Sequence, residues 1–469
     1  MTLLDKPSPA APMPAASNRT PSAGWFRAFW RWHFYASFAV VPILLVLSVT
    51  GLIYLLRFQI EPLLNADVMT VEQPADMDFT QPYSVQLAAV ERAYPDATIV
   101  SMTEPLEEGR STSFSILTAD GEPRDVYVNP WGGEVLGDLN PDTTLSGTAV
   151  RLHADLMSGV FGDRLIELAI CWAIVMALTG YYLFWRMRGA RKRKPKALRS
   201  THGRIGAFVG IGLLLLIVSG LPWTGVWGEK VQGLATDRDS SMWSTDPGAV
   251  SNPTSTLDES LPHSHAVPWA QGKKEVPRSG GGPGTEGHEG RSVASIDTAF
   301  AVAENQGLRH PMTVALPNTD DGVYSVIGYA FDAPSDEKTV HVGRFGGEVV
   351  STYGYADYPG LAKVVAQGIG IHEGRSLGLF SFWFAVLMCL AVMASCVTGP
   401  LMWWRRRPDR SLGAPRGRMP VASSPFLLVA LVALGLFLPL FGISVLIILI
   451  LDQLVVRRVP ALARFFNAG

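Results

Sequence analysis

Four histidines recur at fixed distances before four Ser/Thr-Gly pairs, and this repetition marks them as candidate ligands of a metal or cofactor. A neutral imidazole presents an unshared electron pair and is the commonest metal ligand in proteins. A spacing that is kept through an internal duplication indicates the same role in each copy. Intervals of 18 and 27 residues each occur twice, and they separate His33 from Gly51, His202 from Gly220, His153 from Gly180, and His372 from Gly399.

Each histidine lies near the edge of an apolar stretch that is long enough to cross a membrane as a helix. The four stretches are residues 34–57, 166–185, 205–227 and 377–404, and about 20 apolar residues cross a hydrocarbon core of ~30 Å. Charged residues make up only 17% of the chain, which also favours a membrane protein over a soluble one. A fifth apolar stretch, 425–451, is compatible with one span or with a hairpin.

The distribution of charge orients these spans. Residues 186–199 contain eight basic side chains and no acidic one, whereas residues 61–160 carry 17 acidic and four basic side chains. Basic loops remain in the cytoplasm, which predicts a multi-pass protein of the bacterial inner membrane with a cytoplasmic N-terminus. The predicted order is a disordered cytoplasmic tail (1–24), a first span (25–57), a periplasmic domain (58–150), a second span (151–186), a basic cytoplasmic loop (187–203), a third span (204–228), a second periplasmic domain (229–370), a fourth span (371–404), a cytoplasmic loop (405–424), the C-terminal hydrophobic segment (425–456) and a tail (457–469).

The two predicted periplasmic segments share one α+β plan. In each, a helix precedes alternating strands and then an aromatic residue followed by Gly-Gly-Glu-Val. Paired glycines supply the positive φ angles of a tight turn between strands, and the Gly-, Pro- and Ser-rich insertion 245–292 predicts a flexible loop. The predicted helices are Ser84–Tyr94 and Ile296–Asn305, and the predicted strands are Ser113–Leu117, Asp125–Val128, Val323–Gly328 and Thr339–Val342.

On these features the chain resembles the PepSY-associated transmembrane family, also called iron-regulated membrane proteins. The strongest segments run from Leu152 to Trp185 and from Ile371 to Arg407. The resemblance implies a membrane α-helical bundle with four main spans in two duplicated pairs, a C-terminal hydrophobic segment and two extracytoplasmic PepSY-like α+β domains. Some members are similar to inner-membrane siderophore reductases that hold b-type haem between histidines, so the resemblance implies haem more firmly than a substrate.

The predicted topology sorts the four histidines into two layers. His33 and His202 begin spans that leave the cytoplasm, whereas His153 and His372 precede spans that enter from the periplasm. Two imidazoles at one depth on different helices are the arrangement that binds haem iron from both axial sides. We therefore expect two copies of haem b, with iron held by one histidine pair in each layer. The competing interpretation is that these side chains only reach toward lipid headgroups.

An arginine also lies close in sequence to each histidine. Its guanidinium is a candidate partner for a haem propionate, because such groups form strong charge-assisted hydrogen bonds with carboxylates. Contact with lipid headgroups is the alternative role. The four residues are Arg31, Arg151, Arg204 and Arg375.

Three charged residues, Asp163, Arg164 and Glu167, lie at the start of the second predicted span. The two carboxylates share a helix face because they are four residues apart. They are either a structural ion-pair cluster or part of a polar path for protons or iron.

Several catalytic motifs are absent from the sequence. It contains no Walker A loop, no GxGxxG at the start of a helix, no HExxH and no CxxC among its three cysteines. ATP-driven transport, dinucleotide binding and zincin chemistry are therefore unsupported, and no catalytic residue is assigned. An electron donor would have to come from elsewhere, such as a reduced flavin, a cytoplasmic reductase or a quinone.

The sequence and the resemblance together favour a haem-dependent transmembrane reductase of a periplasmic ferric complex, such as a ferric siderophore, in iron acquisition. The lipid bilayer is an expected partner, nucleic acid is not, and homo-oligomerisation stays open. Two alternatives remain at this stage. One is a non-enzymatic PepSY regulator that binds a periplasmic partner, and the other is an iron or haem permease subunit.

Overall fold

The structure is a computed structural model, and its described residues form a helical bundle and a separate antiparallel sheet. Most of the predicted N-terminal tail, of the basic loop 187–203 and of the loop 405–424 lies outside the described residues, as do large parts of the insertion 245–292. The described residues are 21–187, 197–236, 255–262, 266–279, 293–328, 333–407, 412–413 and 425–467.

The helices follow the predicted alternation of spans and domains. They are α1 (Pro21–Leu55), α2 (Arg57–Leu64), α3 (Ala66–Met69), α4 (Tyr83–Ala93), α5 (Leu145–Asp155), α6 (Val160–Arg186), α7 (Ala197–Gly220), α8 (Gly225–Thr236), α9 (Leu257–Ser260), α10 (Ile296–Asn305), α11 (Gly360–His372), α12 (Leu379–Trp404), α13 (Pro425–Phe437), α14 (Pro439–Leu451) and α15 (Pro460–Phe465).

Four long helices, α1, α6, α7 and α12, pack around one apolar core. Helix α1 contacts α6 and α12, and α7 contacts the same two helices, so the four close into a bundle. In the described part of the chain, five helical segments are long and apolar enough to cross a membrane, namely Trp25–Leu55, Val160–Arg186, Ala197–Trp223, Leu379–Trp404 and Pro439–Val456. The first four overlap the four predicted main spans.

Three predicted spans begin differently from the sequence-based boundaries. The third was predicted as 204–228, but its helix starts at Ala197, so His202 lies on the helix and not in the preceding loop. The second and fourth begin later than predicted. Segments 151–186 and 371–404 place His153 and His372 on the spans, but in the structure each histidine lies on a preceding short helix, α5 or α11. Gly159 and Gly378 separate the short helix from the long one, with φ angles of 57° and 56°. This left-handed backbone favours glycine, so the matched glycines allow the chain to leave one helix and begin the next in a new direction.

The two repeated α+β segments share a single sheet instead of forming two separate ones. Its eight strands lie in the order β10-β9-β8-β7-β1-β2-β3-β4, and all pairings are antiparallel. We name β1–β4 with α4 domain 1, and β7–β10 with α10 domain 2. The domains meet where β1 pairs with β7, with Met102 opposite Val314. The strands are β1 (Thr98–Thr103), β2 (Thr112–Leu117), β3 (Pro123–Val128), β4 (Val135–Leu139), β5 (Ser255–Thr256), β6 (Glu275–Val276), β7 (Thr313–Ala315), β8 (Val323–Ile327), β9 (Lys338–Gly343) and β10 (Val349–Gly354).

A hydrogen-bonded cap also joins the two domains. The Asp297 carboxylate of α10 accepts hydrogen bonds from the backbone N–H groups of Tyr83 (2.7 Å) and Ser84 (3.1 Å) at the start of α4. The first turn of a helix has N–H groups without intrahelical partners, and a carboxylate placed there stabilises it. Domain 2 therefore caps a helix of domain 1.

Parts of the insertion 245–292 are packed, contrary to the prediction of a flexible loop. Strands β5 and β6 pair with each other, and Leu257, Leu261 and Val276 are buried against Val323 and Ile327 of domain 2. Burial of these apolar side chains removes them from water and holds the segments on the sheet.

The C-terminal hydrophobic segment forms a hairpin of α13 and α14. The two helices touch near their junction, where a Cβ atom at Gly442 would lie 2.6 Å from the Gly435 carbonyl oxygen. Leu438 and Phe441 are buried at this end against Cys171 and Leu221 of the bundle. Glycine at the crossing lets the helix backbones approach closely, as is common between membrane helices.

Candidate cofactor site

Each of the four histidine rings lies against a Ser/Thr-Gly pair on another helix of its own half of the molecule. Within the first half, the histidine of α1 contacts α6, and the histidine of α5 contacts α1. In the second half, the histidine of α7 contacts α12, and the histidine of α11 contacts α7. The Nδ1–hydroxyl distances are 2.9 Å for His153 and Thr50, 3.4 Å for His33 and Thr179, 3.0 Å for His202 and Thr398, and 3.2 Å for His372 and Ser219.

The hydrogen bonds of these hydroxyls determine which ring nitrogen carries the proton. The Thr50 hydroxyl donates its only proton to the Val46 carbonyl at 2.8 Å, so it must accept from His153 Nδ1. Thr398 likewise donates to the Ala394 carbonyl at 2.7 Å and accepts from His202 Nδ1. Backbone carbonyls can only accept, and they bond the Nδ1 atoms of His33 (Met176, 2.9 Å) and His372 (Leu216, 3.1 Å).

All four neutral rings therefore carry their proton on Nδ1 and keep an unshared pair on Nε2. A second hydrogen bond that orients the ring and fixes its tautomer in this way is characteristic of histidines that bind metal. The four side chains are partly buried.

The glycine of each pair makes room for the ring. A Cβ atom would lie 3.0 Å from His33 Cε1 if it were added at Gly180, and 3.2 Å from His372 Cε1 if it were added at Gly220. Both distances are shorter than ordinary van der Waals contacts. At Gly51 and Gly399 the corresponding distances to His153 and His202 are 3.5 Å, which is an ordinary contact.

The four rings meet in two layers, and each layer takes one histidine from each half. His153 and His372 face each other with ring centroids 6.2 Å apart and planes at 85°. His33 of α1 and His202 of α7 are the corresponding residues of the two halves and make up the other layer. The path along α1 from His33 to Thr50, at 1.5 Å per residue, covers about 26 Å, so the layers lie toward opposite ends of the bundle.

The residues between the layers are apolar. They form one buried cluster, to which each of the four long helices contributes side chains, and its buried members are Val40, Leu44, Ala173, Val209, Leu213, Ile217, Met388, Val392 and Cys396.

This arrangement fits the axial ligation of haem. Two imidazoles on opposite sides of one metal ion, with metal–nitrogen bonds of about 2 Å, have ring centroids roughly 6 Å apart. The separation of His153 and His372 matches that value. Haem ligation needs only two axial side chains per iron, and in the described parts of the chain no group of three or more His, Cys, Asp or Glu side chains could hold a bare metal ion.

The four arginines near the histidines differ in their surroundings. Arg151 and Arg204 are exposed on the bundle. Arg31 donates to the Asn467 carbonyl at 2.9 Å and stacks on Tyr35. The Arg375 side chain is only 9% exposed and forms ion pairs with Glu337 and Glu373 at 3.0 and 2.7 Å. Its guanidinium is thus committed to carboxylates of the protein.

The charged cluster at the start of α6 caps a neighbouring helix. Glu167 is fully buried and accepts hydrogen bonds from the N–H groups of Val226 (2.8 Å) and Trp227 (3.1 Å) in the first turn of α8. Asp163 accepts from Gly225 N–H at 3.3 Å and pairs with Arg164 at 3.0 Å. This geometry supports the structural interpretation of the cluster, because both carboxylates satisfy backbone donors.

The sequence pattern identified the Ser/Thr-Gly pairs only as markers of the repeat. Their role as hydrogen-bond acceptors and ring contacts was missed because it depends on which helices are neighbours. The available signal was the fixed interval itself, since a histidine and a hydroxyl that repeat together four times indicate a shared function.

The chain was also compared with known proteins. The family model described as PepSY-associated TM region matches residues 30–406. No curated protein matches the chain.

Proposed function

The chain belongs to the family of the PepSY-associated TM region, and on that basis we propose that it is a membrane electron-transfer protein that holds two b-type haems and reduces a ferric complex outside the cytoplasm. The observation that carries this proposal is the opposed pair His153 and His372, with ring centroids 6.2 Å apart. Both rings hold their proton on Nδ1 through hydrogen bonds. Each ring therefore keeps an unprotonated Nε2 that is available to bind a metal.

In this proposal the two layers have the same task at opposite membrane faces. His33 and His202 would hold one haem near the cytoplasm, and His153 and His372 would hold the other near the periplasm. Haem bound in this way supplies one-electron redox chemistry, while the protein sets its environment. The apolar cluster between the layers excludes water from the core of the bundle.

The exposed arginines are the better candidates for propionates. Arg151 and Arg204 are exposed, and each lies two residues from a histidine, His153 or His202. We assign no propionate contact to Arg375, because its guanidinium already pairs with Glu337 and Glu373.

A ferric siderophore is the proposed substrate, and this choice rests on the resemblance to siderophore reductases. Ferric iron binds hard oxygen donors tightly, so reduction to ferrous iron weakens the complex and releases the metal. The electron donor on the cytoplasmic side would be a reduced flavin, a reductase or a quinol.

The two alternatives make different demands on the chain. A permease would need a polar path through Asp163 and Glu167, but these carboxylates are occupied by backbone N–H groups of α8. A regulator without a cofactor would not need four histidines with the same tautomer. The reductase therefore accounts for more of the structure.

The test is a reduced-minus-oxidised visible spectrum of the detergent-purified protein. We expect six-coordinate b-type bands from about two haems per chain. The variants His202→Ala and His372→Ala should each lose about half of the haem, and the double variant should lose nearly all of it. His310→Asn is a matched control, because that histidine lies in the sheet region and its Nδ1 bonds Glu104.

Two outcomes would contradict the proposal. Wild-type protein expressed with ample haem but purified without any would favour the regulator. Protein that binds two haems but, after reduction with dithionite, transfers no electrons to a ferric trihydroxamate would exclude this class of substrate. A ferrous-specific chelator reports the product of that second assay.

A further inference from the structure

Helix α11 packs against both domain 2 and helix α7 of the bundle. Its residues Ala362 and Ala366 are buried against Tyr353 and Tyr358 of domain 2. On another side it approaches α7, where a Cβ atom at Gly368 would lie 3.8 Å from Ser219 Cβ. The helix ends at His372. One helix therefore connects domain 2 to a histidine of the candidate site.

A buried ion pair fixes the segment that follows this histidine. Arg375 lies three residues after His372 and donates from its guanidinium to Glu337 Oε1 at 3.0 Å. The Arg375 and Glu337 side chains are only 9% and 2% exposed. Glu337 lies at the start of β9, so this contact joins domain 2 directly to the loop between α11 and α12.

Further hydrogen bonds extend the pair into the sheet. Tyr358 donates from its hydroxyl to Glu337 Oε2 at 2.9 Å, and Gln271 donates from Nε2 to the Tyr358 hydroxyl oxygen at 2.8 Å. The Thr339 hydroxyl of β9 donates to the side-chain oxygen Oε1 of Gln271. Both oxygens of Glu337 are thus occupied, and the network runs from a strand of domain 2 to the loop beside His372.

The energetics of this pair favour a role beyond stability. Burial raises the pKa of Glu337, and the Arg375 guanidinium opposes that shift. A buried ion pair costs desolvation that its mutual attraction only partly repays, so its stabilising effect is often small. The pair opposes separation, because Glu337 without Arg375 would be a buried carboxylate with no neighbouring cation.

The first half of the molecule lacks this connection at the matching position. Leu156 stands where the second half has Arg375, counted from Gly159 and Gly378. The helix that carries His153 is instead bonded to α2, since Ser146 N–H donates to Glu61 at 2.6 Å. The two histidines of this layer are therefore held by different contacts, because α5 bonds α2 and the loop after α11 forms an ion pair with domain 2.

We propose that domain 2 is coupled through Glu337 and Arg375 to the orientation of His372, so that a change in domain 2 alters the properties of the cofactor in the His153–His372 layer. Arg375 acts as a positioning residue in this device. At the matching position of the first half, Leu156 provides no such ion pair. This inference rests on the proposed haem function, and it adds a regulatory input from the periplasmic side.

The experiment compares the two haems of purified variants by redox titration and by electron paramagnetic resonance of the oxidised protein. His372→Ala identifies the signals of the layer that it disrupts. Glu337→Gln removes one charge of the pair, Arg375→Lys keeps the charge but loses the forked geometry, and Tyr358→Phe removes one donor to Glu337. Arg124→Lys is the matched control, because it alters the ion pair with Asp138 in domain 1.

We expect Glu337→Gln and Arg375→Lys to shift the signals of the His153–His372 layer and to leave the other layer in place. A tenfold change in the equilibrium constant of that one-electron step corresponds to about 59 mV. Tyr358→Phe should give a smaller shift, and Arg124→Lys none. Tyr358→Phe and Arg375→Lys keep the test decisive if Glu337→Gln does not fold.

The possible negative results distinguish failure of the coupling from failure of the proposed haem function. Two haems with unmoved signals in all three network variants would overturn the coupling alone. Equal shifts in both layers would also overturn it, because they indicate general loosening of the bundle. Wild-type protein without haem would overturn the proposed function and the coupling together.

Discussion

The Thr50 hydroxyl accepts a hydrogen bond from His153 at 2.9 Å, although 103 residues separate the two along the chain. The same kind of contact links Thr398 to His202 across 196 residues. Such contacts form because, in each half of the molecule, a histidine of one helix packs against a Ser/Thr-Gly pair of a neighbouring helix. Each half thus orients its own two rings, and the two layers are completed only when the halves pack together.

Removal of a hydroxyl acceptor should lower haem affinity most where the structure shows no second hydrogen-bond partner for the Nδ1 atom of the ring. Thr398 provides the hydrogen bond that the structure shows for His202 Nδ1, whereas His33 Nδ1 also bonds the Met176 carbonyl at 2.9 Å. We expect Thr398→Val to lower haem affinity by about 10–100-fold, as loss of a ligand-orienting partner typically does. Thr179→Val should have a much smaller effect.

Haem retention during gel filtration, measured per chain from the reduced spectrum, checks this prediction. The two variants remove the same atom in the same layer and therefore serve as controls for each other. Equal haem loss in both would show that the hydroxyls do not orient the rings in the way described.

Alanine substitutions at the four glycines that contact the histidine rings should fall into two classes by their effect on haem content. Gly180→Ala and Gly220→Ala bring a Cβ atom to 3.0 and 3.2 Å from a histidine ring, whereas Gly399→Ala and Gly51→Ala bring it only to 3.5 Å. Close-packed interiors have little space to absorb an extra methyl group. We expect a severalfold loss of haem from one layer in each variant of the first pair, and near-normal haem content in the second pair.

Each layer contains one variant of each class, so the comparison has an internal control. Gly180 and Gly399 contact the His33–His202 layer, and Gly220 and Gly51 contact the His153–His372 layer. Normal haem content in all four variants would mean that the rings adopt other positions when haem is bound.

Replacement of Glu167 should destabilise the bundle. Its buried carboxylate accepts from the N–H groups of Val226 and Trp227, and a buried donor left without a partner costs about 1–3 kcal/mol. We expect Glu167→Ala to lower the thermal unfolding temperature in detergent, and Glu167→Gln, which retains an acceptor oxygen, to lower it less. A Glu167→Gln protein of normal stability that had lost iron handling would instead favour a polar path through this residue.

The cap between the two domains predicts a local effect on domain 1. Asp297→Ala removes the acceptor for the N–H groups of Tyr83 and Ser84, and loss of a helix cap costs about 1 kcal/mol. Hydrogen exchange at the start of α4 should therefore accelerate. Ser295→Ala is the control, because Ser295 caps α10 within its own domain, and it should leave α4 unchanged. Equal exchange of α4 in both variants would refute the cap.

Local patterns in the sequence were sufficient for much of the fold. Apolar length predicted the four main spans, and the repeated domain plan predicted the helices of both domains to within a residue, with Ile296–Asn305 matching α10. The strands β1, β4, β7 and β10 were missed. All four lie at the central pairing or at the outer edges of the sheet, where the partner strand, and not the local pattern, decides the structure.

The sequence by itself determined that four histidines repeat with four Ser/Thr-Gly pairs, because a duplication leaves fixed intervals in the chain. It also separated the histidines into two layers through the distribution of charge. Only the tertiary structure decided which helix each ring contacts, that the two domains share one sheet, and which groups the arginine side chains contact. Arg375 shows the reason. Its closeness to His372 in sequence suggested a propionate partner, but a buried guanidinium needs a compensating charge, and the packing of domain 2 supplies Glu337 from 38 residues away.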